Sequence, residues 1–82
     1  MEGLVEGQIV HYVLSENQHR AAIVVLAYKE TKDVPLAPIM YGKCNLLVFL
    51  DKSDHGFPFQ FTEFCNYSEN KEVDTWHWIE RS

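Results

Sequence analysis

Arg20-Ala21-Ala22-Ile23-Val24-Val25-Leu26-Ala27-Tyr28 is the most apolar segment of the chain, and whether it forms helix or strand decides the fold. Alanine and leucine favour helix, whereas the Ile-Val-Val centre favours strand. A short run with β-branched residues in its middle reads as strand. Because it is apolar on both faces it belongs in the middle of a sheet, and Ala21, Ala22 and Ala27 leave room for a neighbour to come close.

The flanking segments repeat that reading. Upstream, Gln8-Ile9-Val10-His11-Tyr12-Val13-Leu14 is β-branched and aromatic, and a polar stretch of hairpin length, Ser15 to His19, separates it from the central strand. Met1 to Gly7 reads as a lead-in. Downstream, Lys29 to Gly42 is a long loop with Pro35 and Pro38, and its Val34 to Tyr41 part is apolar enough to pack over a sheet end or face a second subunit. Asn45 to Leu50 is a third strand, and Asp51 to Gly56 a turn cluster. Phe57, Phe59 and Phe61 then alternate with Pro58, Gln60 and Thr62, which gives a strand with one aromatic face. Pro58 has no N–H, so this strand is an edge or pairs on one side only near its start. A polar loop over 64–72 leads to Asp74-Thr75-Trp76-His77-Trp78-Ile79-Glu80, a closing strand with both indoles on one face and His77 on the other. The only place where a helical turn is tolerated is Thr62 to Asn66.

These elements predict one all-β domain over residues 1–82, a small five-stranded partly open barrel or roll of the SH3 or OB kind with little or no helix. A chain of 82 residues removes only roughly 60% of its unfolded surface on folding, so a partner copy would help, and a homo-oligomer is expected. The formal charge of −5 with no basic run argues against polymeric nucleic acid. The longest apolar run, Ala21 to Tyr28, is far too short to span a membrane, and the N-terminus has no signal-peptide pattern, so a cytoplasmic protein is expected. Cys44 and Cys65 lack metal or redox spacing and read as buried small apolar residues.

No Gly-rich phosphate loop, nucleophile elbow or carboxylate pair is present, and the expectation is a protein that is not an enzyme. His11, His19, His55 and His77 show no i, i+2 or i, i+4 spacing, so neither metal nor cofactor is expected; His11 and His19 face each other only if the hairpin register aligns them. The constellation with the most chemistry is Tyr12, His19, Arg20, Trp76, His77 and Trp78. A planar guanidinium fork and aromatic faces suit a small, anionic, planar ligand such as a nucleotide derivative. A plainer alternative pairs Arg20 with Glu80 or Asp74 and leaves the tryptophans to the core. Both stay open.

Four motifs carry a resemblance: Val10-His11-Tyr12-Val13, His19-Arg20-Ala21-Ala22-Ile23-Val24, Asn45-Leu46-Leu47-Val48-Phe49 and Thr75-Trp76-His77-Trp78 followed by Glu80. Across nearly its whole length the chain resembles a family of small uncharacterised proteins of bacteriophage genomes and bacterial prophage regions. It departs from the family pattern at Asp74, where glycine is usual, and at Ile79, where proline is usual. The resemblance implies phage origin, a compact β fold and the cytoplasm of the infected host, and by analogy an accessory protein that neutralises something of the host. Two functions follow as expectations: sequestration of a nucleotide-derived host-defence signal, or a protein-interaction or structural oligomeric module with a host protein as partner.

Overall fold

Period-two alternation sends every second side chain of a strand to the same face, and here the inward set is almost wholly apolar. A computed structural model of the chain describes residues 3–28 and 35–79. Five strands, β1 (Ile9–Ser15), β2 (Gln18–Ala27), β3 (Cys44–Phe49), β4 (Phe59–Tyr67) and β5 (Thr75–His77), close into one barrel. Neighbours pair antiparallel from β1 to β4 and between β5 and β1, and the short β5 pairs parallel with β4. Val10, Tyr12, Val24, Leu46, Val48 and Trp76 fill the interior. Full closure depends on β5, whose Trp76 lies opposite Tyr12 of β1 and Tyr67 of β4.

Several boundaries differ from the sequence reading. The lead-in is pinned rather than loose: Leu4 is a core residue, the Gly7 N–H donates to the Val24 carbonyl, and Glu6 Oε2 accepts from the Ala27 N–H at 2.7 Å. The first turn is tighter than the predicted loop, since Ser15 already pairs with Gln18. Asn17 takes the left-handed backbone (φ 63°) that asparagine tolerates in such turns. Within the Asp51 to Gly56 cluster lies a one-turn helix, α1 (Lys52–His55). It starts in a capping box between Asp51 and Asp54 and ends on Gly56 in the left-handed region (φ 78°).

The helical turn tolerated at Thr62 to Asn66 is instead strand, and β4 runs on to Tyr67 where a loop was predicted. The reason is a bulge. Phe64 adopts φ 52°, the register gains one residue on β4 between Leu46↔Thr62 and Cys44↔Cys65, and pairing then resumes. Asn45 Oδ1 holds the bulge by accepting from the Phe64 N–H and the Tyr28 hydroxyl, both at 3.0 Å, while the Tyr28 and Phe64 rings stack. At its start, beside Pro58, β4 is paired only with β3, because β5 meets it only at Asn66 and Tyr67.

Of the long loop, residues 29–34 lie outside the described region; the remainder forms a 3₁₀ turn (Pro38–Met40) with Ile39 and Tyr41 exposed. Its end is nonetheless fixed to the core, because Trp76 Nε1 donates to the Gly42 carbonyl at 2.7 Å. The last strand is shorter than expected, ending at His77 with Trp78 and Ile79 outside it, and its expected continuation to Glu80 lies outside the described residues. Asp74 has φ 65°, a left-handed backbone state that glycine adopts without strain. Its carboxylate accepts from the Tyr12 hydroxyl at 2.8 Å. No described helix is long and apolar enough to cross a membrane.

Candidate functional site

The six predicted site residues do not converge. Tyr12 and Trp76 are register partners that point into the barrel, and both are buried. Trp76 is 0% exposed, wedged edge-on against Trp78 and tilted against Tyr67, with no face left for a ligand. Burial, and then the bond to Asp74, push the Tyr12 hydroxyl up to about 12, so it stays a protonated donor.

Arg20 is occupied as well. Its Nε and Nη2 donate to both carboxylate oxygens of Asp54 at 2.7 and 2.6 Å, and Nη1 donates to the His19 carbonyl. The partner shown is in α1; of the two expected partners, Asp74 bonds Tyr12 and Glu80 lies outside the described residues. Asp54 also accepts from the Asp51 N–H, so one carboxylate both caps the helix and binds it to β2. The aromatic and arginine constellation therefore resolves into core and brace. Asp54 was missed because its role depends on a contact 34 positions away; its one sequence signal was an acidic residue at the third position of a turn that opens with Asp51.

Tyr12 and Trp76 point inward, so their neighbours His11 and His77 point outward, and they are directly opposite each other across β1 and β5. His19, the register partner of Val13, lies diagonally across β2 on the same outer face. The ring centres are 5.6 Å apart for His11 and His77, 4.7 Å for His19 and His77, and 6.2 Å for His11 and His19, all edge-on. Imidazole nitrogens of the three lie within 4.8 Å of one another. Although it faces outward, His77 is only 3% exposed, and His11 Nδ1 is buried with no hydrogen-bond partner among the described residues. The sequence expectation of no metal set considered spacing along one strand; here three strands supply one histidine each. Beside the cluster is a cleft of about 540 Å³ lined by Glu16, Asn17, His19, Asn70, Lys71 and Glu72.

The outer surface has a second unusual part. Cross-strand pairing sets Ile9 beside Ile23, Ile23 beside Leu47 and Leu47 beside Phe61, an apolar row over four strands. Phe49 and Phe59 form the adjacent pair, and these two and Phe61 are 46%, 58% and 52% exposed. The chain has five phenylalanines, and all five, Phe57 and Phe64 included, are exposed. Inside the barrel, Cys44 and Cys65 are register partners with free thiols, each pushed up to about 12 by burial and so poor nucleophiles. No family model, no curated protein sequence and no solved structure matches the chain.

Proposed function

We propose that the protein is a protein-interaction module that docks through the phenylalanine side of its barrel, in the first instance onto a second copy of itself. The observation that carries this reading is that Ile9, Ile23, Leu47, Phe49, Phe59 and Phe61 form one uncharged outer patch in a chain of net charge −5. Large contiguous apolar patches on soluble proteins mark interaction surfaces. The patch is made of side chains, and a two-fold arrangement lets it cover its own copy. The resemblance to small phage proteins supports an accessory role in which the same patch meets a host protein.

Sedimentation or light scattering across a concentration series tests this. A dimer is expected that reverts to monomer in Phe61→Asp with the fold retained by circular dichroism and the melting temperature no longer dependent on protein concentration. A wild-type protein that stays monomeric at millimolar concentration removes the self-association reading.

A second reading, binding of a small planar ligand, has the cleft beside His19 behind it and not Tyr12, Arg20 or Trp76, and Glu16 and Glu72 in that cleft oppose an anionic one. Thermal-shift titration with a panel of linear and cyclic nucleotides tests it, and no shift across the panel removes it.

A further inference from the structure

We propose that His11, His19 and His77 form a binding site for one divalent transition-metal ion, zinc by preference, on the outer face of β5, β1 and β2. This goes beyond both readings above and depends on neither.

The backbone positions are fixed by the sheet. His11 and His77 are directly opposed, and His19 reaches them on the diagonal, so no loop has to fold to assemble the set. A tetrahedral zinc ion binds imidazole nitrogen at about 2.0–2.1 Å, which places ligand nitrogens about 3.3 Å apart and ring centres about 5 Å apart. The observed ring-centre separations of 4.7, 5.6 and 6.2 Å bracket that value. The nitrogens, at up to 4.8 Å, close on an ion by side-chain rotation alone. None of the three ring pairs is stacked face to face, the interplanar angles being 64°, 87° and 68°.

Burial supplies an independent observation. A buried imidazole nitrogen without a partner is unfavourable, and His11 Nδ1 is in that state. A cation gives such a cluster of lone pairs a common partner.

The donor set selects the ion. Three neutral imidazoles suit zinc and its first-row neighbours rather than calcium or magnesium, which take oxygen ligands. Cys44 and Cys65 are inside the barrel and belong to the core, so they add no thiolate to the outer face. Three histidines without a fourth ligand among the described residues leave one coordination position for water or an exogenous group. The cleft bordered by His19 gives the ion a path from solvent, and an overall charge of −5 favours its approach.

The test uses the full chain without a polyhistidine tag, stripped with EDTA and titrated calorimetrically with zinc chloride. One equivalent is expected to bind, and free zinc at a hundredfold excess over Kd is expected to raise the melting temperature by about 10 °C or more. His19→Gln on the rim is expected to weaken binding at least tenfold without loss of the fold, and His11→Gln likewise. Cobalt-loaded protein is expected to show the visible bands of a tetrahedral site with no thiolate charge-transfer band. Absence of heat and of thermal shift overturns the proposal. So does one-to-one binding that survives both glutamine variants, or a thiolate band in the cobalt spectrum.

Discussion

On one side of the barrel, β5, β1 and β2 turn three imidazoles outward, and those rings are drawn together until His77 is nearly closed off from water. On the other side, β3 and β4 turn Phe49, Phe59 and Phe61 outward, and those rings stay in solvent. The inward faces of the same strands are alike: Val10, Tyr12 and Trp76 beneath the histidines, Leu46 and Val48 beneath the phenylalanines, all part of one core. Folding sets the inner residues and leaves the outer ones to other demands. A polar cluster withdrawn from water and an apolar patch presented to it are the two departures from ordinary surface that carry information. The histidine side is suited to a compact cation, and the phenylalanine side to an extended partner.

The largest way to break this comparison is to remove what both sides share. Trp76→Ala empties the barrel centre, leaves the Gly42 carbonyl without its donor, and is expected to cost about 3–5 kcal/mol, measured by urea unfolding. That is a large part of the stability of a small domain, so both surfaces should be lost together. If the variant loses less than about 1 kcal/mol, the shared-core account fails.

Arg20→Ala should separate the two sides. It leaves the 6%-exposed Asp54 side chain without its fork and is expected to cost about 2 kcal/mol. Arg20→Lys should restore less than half of that, because an ammonium cannot reproduce the two-pronged bond. Dimerisation through the phenylalanine patch should survive in whatever fraction remains folded, as read by light scattering. Loss of association at full folding would show that the β2–α1 brace shapes the patch.

A graded effect is expected in alkali. Cys44 and Cys65 rise from 9.0, and Tyr12 from 10.0, to about 12 in the folded protein. Folded values above unfolded ones mean the native state keeps protons that the unfolded state releases. The contribution to stability is therefore complete below about pH 9 and is lost as pH rises through 12. Melting temperature should begin to decline above pH 9 and fall further with each unit, and a rise there would contradict the burial of these groups.

The sequence by itself determined which residues share a face of a strand, and left open which face is inside. Alternation is a local property with a period of two, so Trp76 and His77 on opposite faces, the aromatic face of Phe59 and Phe61, and the apolar character of Cys44 and Cys65 could all be read from spacing. Local backbone exceptions were less legible. Phe64 and Asp74 take left-handed conformations that glycine would have announced and that phenylalanine and aspartate did not, which is why β4 was predicted to end early. Tertiary structure alone decided which outward residues meet. His11, His19 and His77 are brought together because β5 returns to β1 while β2 flanks its other side. Arg20 finds Asp54, 34 positions along the chain, in the same way. Register and strand order across a closed barrel depend on how the whole set of faces packs, and no short stretch of chain contains that information.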